Sequence, residues 1–232
     1  NHISHCKTMA NSDIKVIDKA FEILNLFTKD YRNLSLKNLN EITKLNKSTL
    51  IRICNSLIKH NFLIKNDLGA YQLAAGCWKL GSLYSSHFAN QSKIKDILQV
   101  VCLDTGQSSS FWVREGKTKV CLFRVNSTHE LNHHIEEGSS FPLLSATGKM
   151  LLAYSENNKS LIQEVEKKGY IFTSGERLEN IASLAIPVFN LNKDFCGALS
   201  ISGFSQFFSN SKVNEYYKVL QSKQKLLQLI LL

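Results

Sequence analysis

The sequence predicts an α+β protein of two domains, in which a small helical N-terminal domain precedes a larger domain of mixed strands and helices. Apolar residues recur with helical spacing in three short segments before residue 60, and two strand-like runs follow them. Beyond residue 103, strand-like runs alternate with helical segments. The 232 residues are 44% hydrophobic and 20% charged. A chain of this length and composition can form two hydrophobic cores.

The first two helices are predicted from apolar residues spaced three or four positions apart. The first begins after Ser12 or Asp13, either of which can cap it. Its apolar face comprises Val16, Ile17, Ala20, Phe21, Leu24 and Phe27. The second begins after Ser35, which is expected to cap it. Its apolar positions are Leu36, Leu39 and Ile42.

A third helix, from about Lys47 to His60, divides into an apolar stripe and a polar face. The apolar stripe comprises Leu50, Ile51, Cys54, Leu57 and Ile58. The opposite face carries Ser48, Arg52, Asn55 and Lys59, with Lys47 and Thr49 in the first turn. No acidic residue occurs from position 43 to position 66. Such a helix can dock on its predecessor through one side and enter the major groove of DNA with the other, where Arg and Asn pair well with guanine and adenine.

A β-hairpin is predicted directly after this helix. Two strand-like runs, 62–65 and 70–73, flank the turn Asn66-Asp67-Leu68-Gly69, and the first run ends in Lys65. Three short helices and a hairpin predict a winged helix-turn-helix over residues 12–75, with Lys65 as a further DNA contact. A small helical bundle with a solvated polar face is the alternative that the pattern leaves open.

The distribution of charge favours a polyanion-binding N-terminal domain. The net charge is +9, and residues 1–80 hold 12 Lys/Arg against 6 Asp/Glu. Two thirds of the excess positive charge therefore lies in the first third of the chain, as expected for a nucleic-acid-binding module on another scaffold. The six cysteines form no C-x-x-C pair, which argues against zinc. No export signal or membrane span is evident, so we expect reduced cysteines and a cytoplasmic protein.

The second half of the chain predicts a linker helix at 76–92 and a domain at 93–232. The predicted strands are 109–114, 120–125, 183–188 and 198–202. The predicted helices are 145–154, 159–168 and 211–229, the second of them stopping at Gly169. Hairpin connections indicate a mainly antiparallel sheet. The linker helix is expected either to pair between protomers or to serve only within the chain.

No cofactor motif or catalytic constellation is evident. His129, His133 and His134 lie beside Glu130, Glu136 and Glu137, and we interpret them as solvated residues rather than metal ligands. An enzyme that uses Cys102, Cys121 or His134 is a rival hypothesis. Hydroxyl groups at strand and helix ends instead suggest a pocket for a small polar ligand. They belong to Ser145, Thr147, Thr173, Ser174, Ser183, Ser200 and Ser202.

Three stretches together resemble the IclR family of bacterial transcriptional regulators. They are Ile17-Asp18-Lys19-Ala20-Phe21-Glu22-Ile23-Leu24, Lys47-Ser48-Thr49 with Arg52 and Tyr71-Gln72-Leu73, and Ser145-Ala146-Thr147-Gly148-Lys149-Met150-Leu151-Leu152-Ala153. Gly169-Tyr170, Gly175-Glu176, Ala185-Ile186-Pro187-Val188 and Leu199-Ser200-Ile201-Ser202-Gly203 follow in the family's order. The resemblance spans about residues 13 to 230.

The resemblance implies a GAF-like effector-binding domain, a homodimer or homotetramer, and binding to double-stranded operator DNA that represses or activates transcription. The effector would be a small carboxylate or aromatic acid. By position, its contacts would be Ala146, Thr147, Thr173, Ser183, Ser200 and Ser202. The chain departs from the family in a shorter segment between Lys149 and Gly169 and in Thr173, where an acidic residue is common. A DNA-binding protein without an effector, whose C-terminal domain serves only oligomerisation, is the alternative function.

Overall fold

The chain folds into two compact units, residues 1–87 and 88–232. The computed structural model describes residues 14–28, 30–86, 90–129 and 133–231. The expected caps Ser12 and Asp13 lie outside these residues. None of the helices in the described part of the chain is both long and apolar enough to cross a bilayer.

The described part of the first unit contains four helices and a hairpin. They are α1 (Lys15–Leu24), α2 (Leu36–Thr43), α3 (Lys47–Lys59), β1 (Leu63–Lys65), β2 (Tyr71–Leu73) and α4 (Ala75–Ser86). Ser35 caps α2 as predicted, because its hydroxyl accepts the backbone N–H of Asn38 while the Asn38 side chain accepts that of Ser35. Asn46 caps α3 in turn, through the backbone N–H of Thr49. Sequence-local hydrogen bonds therefore fix where both helices of the helix-turn-helix begin.

The hairpin after α3 pairs β1 with β2 in antiparallel register, Leu63 opposite Leu73. The Asn66 side chain accepts the backbone N–H groups of Leu68 and Ala70, and Gly69 takes the positive φ that closes the turn. Backbone hydrogen bonds in both directions join Leu34 to Tyr71. The predicted hairpin is confirmed, and it is anchored to the segment that precedes α2.

Three of the predicted apolar faces are wrong in part, and on α2 the exposed residue is Ile42. Val16, Ile17 and Phe21 of α1 are exposed, and the residue of α1 that is buried is Ile23. On α3, Ile51 is 40% exposed and Ile53 is 5% exposed. Successive helical residues are rotated by about 100°, so Ile53 and Cys54 share a side with Leu50 while Ile51 points away. Apolar residues at adjacent positions allow two different stripes, and the sequence does not distinguish them.

The second unit is a six-stranded antiparallel sheet covered by helices on both faces. Its strands are β3 (Ser108–Glu115), β4 (Thr118–Val125), β5 (Ser140–Pro142), β6 (Ile171–Ser174), β7 (Ile181–Phe189) and β8 (Phe195–Phe204). Its helices are α5 (Gln91–Thr105), α6 (Ser145–Ser155), α7 (Lys159–Lys168) and α8 (Asn210–Ile230), with a 3-10 turn at Ser205–Phe207. The strand order is β5-β4-β3-β8-β7-β6, and every pair is antiparallel, as predicted.

Each face of this sheet has its own core. Helices α5 and α8 pack on one face around Phe111, Leu184 and Leu199, whereas α6 and α7 cover the other around Trp112 and Ala185. The predicted helices 145–154 and 159–168 are confirmed, and Gly169 ends α7 at φ +83°. The short edge strands β5 and β6 were not predicted, since three or four residues show no readable period and neither strand adjoins a tight turn like the one that identified β1 and β2.

The corrected face of α3 makes a direct stability prediction. Ile53→Ala should lower the free energy of unfolding by ~2–5 kcal/mol, because it leaves a cavity in the N-terminal core. Ile51→Ala should lower it far less, since its side chain already contacts water. Urea denaturation of both variants by circular dichroism measures the difference. A larger loss for Ile51→Ala would contradict the orientation of α3.

Candidate DNA-binding surface and ligand pocket

The polar side of α3 faces solvent. Its exposed members are Lys47, Ser48, Arg52, Asn55 and Lys59, while Thr49 is half-buried. The Ser48 hydroxyl donates to the Asn46 side chain, so the first turn is rigidly capped. The buried side of the same helix, centred on Leu50 and Ile53, packs in the core of the unit. A docked helix with a basic outer face of this composition has the geometry of a recognition helix.

Two features flank this face. Lys65, at the end of β1, is exposed, and its ammonium lies 5.4 Å from the Tyr71 ring centroid. An open groove of about 850 Å³ separates α1 from α3, and both Arg52 and Val16 line it. The polar face of α3 is therefore continuous with the exposed apolar residues of α1.

In the second unit, the sheet face that α6 covers is apolar in one half and carries hydroxyl groups in the other. Ile171, Ala185 and Ala198 belong to the apolar core under α6 and α7. Thr173, Ser183 and Ser200 lie two residues away from these on the same strands. Strand side chains alternate between the two faces of a sheet, so the hydroxyl groups share the face that α6 covers. The half of the sheet that carries hydroxyl groups borders a cavity.

Five of the six residues expected to contact a ligand line this one cavity. They are Thr147, Thr173, Ser183, Ser200 and Ser202, and Ser145 joins them. Ala146 is buried rather than lining, and its backbone N–H donates to the Thr173 hydroxyl at 2.9 Å. Ser174 lies outside the cavity and its hydroxyl donates to Ser205. The sequence-based set is thus brought together at the N-terminal end of α6.

The cavity also contains a buried cation that the hydroxyl pattern did not indicate. Lys119 of β4 is 3% exposed. Its ammonium donates to the Ser145 hydroxyl at 2.8 Å and lies 4.7 Å from the Trp112 ring centroid. Ser145 holds φ +73° at the start of α6, an uncommon conformation for a residue other than glycine. The alternation of β4 does place Lys119 on the face of Cys121, so this position could be read from a correct strand register.

A second cation, Arg177, lies at the same cavity. It follows β6, its guanidinium carbon lies 4.9 Å from the Phe141 ring centroid, and its Nη2 approaches His133 Nε2 at 2.5 Å. Arg124 lies behind the cavity and donates to the Ser110 hydroxyl and the His133 carbonyl. Three cationic side chains, two from β4 and one from the loop after β6, therefore lie at or directly beside the cavity.

These cations depress each other's proton affinity. Burial, followed by the charges of Arg177 and Arg124, lowers the pKa of Lys119 to about 7. Burial lowers the pKa of Arg124 to about 10 and also lowers the pKa of Arg177. Burial and the two arginines lower the pKa of His133 to about 4. At neutral pH, His133 is therefore uncharged, both arginines are charged, and Lys119 is partly charged.

The expectation that all three histidines are solvated is wrong for His133, which is half-buried against Arg177 because the segment before β5 folds over the cavity. His134 is exposed, His129 stacks on Phe207, and Glu130 lies outside the described residues. No group of potential metal ligands occurs among the described residues. Burial raises the pKa of Cys102 and raises that of Cys121 to about 12, the opposite of what a nucleophilic thiol needs.

The cavity itself measures about 20 Å³, which is room for about one water molecule. Any larger occupant requires the surrounding side chains to move outward. Among the residues that line the cavity, Arg177, Ile181 and Ser202 are half-buried and the others are buried.

Comparison with known proteins gives a consistent result over nearly the whole chain. The family described as "IclR helix-turn-helix domain" matches residues 16–67, and "Bacterial transcriptional regulator IclR C-terminal" matches residues 159–226. The HTH-type transcriptional regulator KipR of Bacillus subtilis is 21% identical over 86% of this chain and 90% of its own. XynR of Escherichia coli is 21% identical over 90% of this chain and 93% of its own.

Solved structures show the same fold. The IclR structure from Thermotoga maritima superposes with a TM-score of 0.71 at 21% identity, covering 94% of this chain and 100% of that one. An IclR homologue from Microbacterium hydrocarbonoxydans, in complex with 4-hydroxybenzoate, superposes with a TM-score of 0.68 at 17% identity, covering 91% and 99%. These structures therefore share with this chain, over more than nine tenths of its length, a helix-turn-helix unit followed by an α/β unit with a curled sheet.

The lowered pKa of Lys119 makes a prediction about stability and pH. The folded pKa, about 7, lies below the unfolded value of 10.5, so between these values the unfolded chain binds the proton and wild-type stability rises with pH. Lys119→Met removes the burial penalty and should stabilise the protein by on the order of a few kcal/mol below pH 7, an advantage that shrinks by roughly 1.4 kcal/mol for each pH unit above 7. Urea denaturation at pH 6 to 9 measures it.

The matched control is Lys117→Met, which removes an exposed ammonium from the same hairpin. Its difference from wild type should stay flat across the same range. A flat profile for Lys119→Met as well would contradict the buried, depressed ammonium.

Proposed function

Because the chain belongs to the IclR family of bacterial transcriptional regulators, whose members bind DNA and are not enzymes, we propose that it binds a specific operator and that a small organic acid sets its affinity. The N-terminal unit reads double-stranded DNA, and the pocket of the C-terminal unit binds the effector in the cytoplasm. The observation that carries this proposal is the pairing of an exposed basic helix face with a buried cationic pocket in one chain.

The DNA-binding role is assigned to α3 and the hairpin. Arg52 and Asn55 are exposed on the outer face, where their side chains can form paired hydrogen bonds with base edges in the major groove. Lys47, Ser48 and Thr49 stand at the helix N-terminus, which suits a phosphate oxygen. Lys59 at the far end of α3 and Lys65 on the hairpin add sequence-independent phosphate contacts.

The effector role is assigned to the cavity at α6. Its hydroxyl-bearing residues supply orientable hydrogen bonds, and the backbone N–H of Ala146 lies at the helix N-terminus beside them. The IclR homologue with bound 4-hydroxybenzoate shows that a relative with this fold holds a small organic acid. An acid is also the ligand class that the buried Lys119 favours.

Self-association of the chain is supported by helix α4. None of its residues is buried, and Trp78, Leu80, Leu83 and Tyr84 are all exposed, Trp78 by 77%. Leu80, Leu83 and Tyr84 share one side of the helix and Trp78 stands on another, and exposed apolar side chains grouped in this way mark an interaction site. The occupant we assign is a second copy of this chain, in a homodimer or homotetramer, because operators with repeated half-sites need two reading helices at a fixed spacing. An effector that favours one arrangement would then change operator affinity by roughly 5–150-fold.

Operator binding is the direct test. The purified protein should bind promoter DNA next to its own gene at least ~10³-fold more tightly than random DNA at physiological salt. A fluorescence anisotropy titration across salt concentrations measures both affinities. Weak binding of equal strength to both DNAs would mean that the N-terminal unit binds DNA without sequence preference, which would contradict the proposal.

Two variants separate base reading from phosphate binding in the same assay. Arg52→Ala should cost ~1–3 kcal/mol on the operator and relax its sequence preference. Lys65→Ala should weaken operator and random DNA alike and reduce the salt slope by about 1. Equal effects of Arg52→Ala on both DNAs would withdraw the base-reading role.

The α4 interface predicts the solution mass. Light scattering after gel filtration should give a multiple of the 26.2 kDa chain mass. The double variant Trp78→Gln, Leu83→Gln should shift the protein to a smaller species, because both side chains leave an apolar contact while helix propensity is kept. Lys79→Gln, exposed on the same helix, is the control and should leave the mass unchanged. An unchanged mass for the double variant would place the interface elsewhere.

A further inference from the structure

We propose that the occupant of the C-terminal pocket is a compact dianion, two negative charges on a small framework, bridged between Lys119 and Arg177. This inference rests on the proposed function of the pocket and specifies the chemical class that it binds. Neither cation belongs to the set of residues expected from the sequence.

The residues at the pocket carry an excess of positive charge. Lys119 is buried and Arg177 half-buried at the same cavity, from strand β4 and from the loop after β6. Arg124 adds a third positive charge directly behind, within 3.5 Å of the Ser202 hydroxyl. Buried cations in proteins are normally paired, because an unpaired charge in a poorly polarisable interior is costly. The cavity therefore holds an excess of two to three positive charges that a ligand would neutralise.

Acidic residues in the described part of the chain do not neutralise the charges of Lys119 and Arg177. Two ion pairs of this domain join Arg114 to Glu156 and Lys149 to Glu176. Neither pair includes a cation of the pocket. Glu137 lies in the segment between β4 and β5, and both its oxygens are engaged. One accepts the Arg124 backbone N–H at 3.0 Å and the other pairs with Lys95 at 2.9 Å. Lys119 has a neutral acceptor, the Ser145 hydroxyl, and Arg177 a neutral imidazole.

Two cations at one cavity favour a ligand that carries two negative charges. A monoanion that bound Lys119 would leave the Arg177 guanidinium without a counter-ion beside it, and the two cations already repel each other. A dianion bridging both satisfies two charge-assisted sites at once. The neutral hydroxyl groups of Thr173, Ser183 and Ser200 then complete its hydrogen bonds. The cavity has room for about one water molecule, so binding of a dianion requires Arg177 or other lining side chains to move outward.

Proton uptake provides an independent signature. Lys119 is the group of this cluster with a pKa in the neutral range, since that of His133 is near 4, that of Arg124 near 10 and that of Cys121 near 12. Its cross-strand neighbour Arg114 is paired with Glu156. A dianion raises the pKa of Lys119, so binding above pH 7 takes up close to one proton. Affinity should then fall by up to about tenfold per pH unit above 7.

The test compares dianions with monoanions of nearly identical shape. The probes are oxalate, malonate and succinate, each against its monoamide, with inorganic phosphate as a separate arm that distinguishes phosphoryl from dicarboxylate ligands. Thermal unfolding at matched ionic strength and isothermal titration are recorded for wild type, Lys119→Met and Lys117→Gln. We expect at least one dianion to bind about tenfold more tightly than its monoamide, with proton uptake in buffers of different ionisation enthalpy. Lys119→Met should abolish this preference, and Lys117→Gln should retain it.

Two outcomes would overturn the inference. One is that no dianion, phosphate included, exceeds its monoanionic match in wild type. The other is that Lys119→Met keeps the full preference, which would assign the effect to general salt stabilisation.

The assay contains no DNA, so the inference and the proposed function fail separately. Dianion binding that leaves operator affinity unchanged would remove effector control and keep the inference. If a monocarboxylate changed operator affinity and no Lys119-dependent dianion binding occurred, effector control would stand and the dianion inference would fail.

Discussion

A cation buried without a counter-charge is the constraint around which the C-terminal unit is organised. The Lys119 side chain lies on the sheet face that α6 covers. Its ammonium contacts two uncharged groups there, the Ser145 hydroxyl and the Trp112 ring. The sheet must therefore carry hydroxyl groups instead of aliphatic side chains at the positions facing it. That requirement explains why Ser183 and Ser200 stand two residues from Ala185 and Ala198 on the same strands. The opposite face, under α5 and α8, carries the larger apolar core, and the Ser109 hydroxyl on that face donates to the Leu98 carbonyl of α5.

The sequence predicts the parts of this protein in which a local pattern has one solution. The capped helices α2 and α7, the hairpin after α3 and the polar face of α3 all follow from spacing and from turn residues. The choice between Ile51 and Ile53 does not, because a helix with apolar residues at adjacent positions can be rotated and the docking partner decides the rotation. The exposed face of α1 has the same cause.

The ligand pocket divides in the same way. Hydroxyl groups at strand ends are a local signal, and five of the six expected residues do meet at one cavity. The cations that set its charge come from β4 and from the loop after β6, and no spacing rule joins positions 119 and 177. Their meeting depends on the strand order, which places β4 and β6 on opposite sides of the central pair with α6 across them. Long-range convergence of that kind is visible only once the sheet is assembled.

The left-handed backbone of Ser145 has a consequence for how this protein can change in descent. The position needs a residue that accepts a positive φ and also offers an oxygen to the Lys119 ammonium. Glycine meets the first condition and leaves the ammonium without its acceptor, threonine meets the second at a steric cost, and asparagine comes nearest to both. A neutral replacement at 119 releases the second condition. Positions 119 and 145, 26 residues apart, are therefore bound to covary, and a lineage that loses the lysine is free to place glycine at the start of α6.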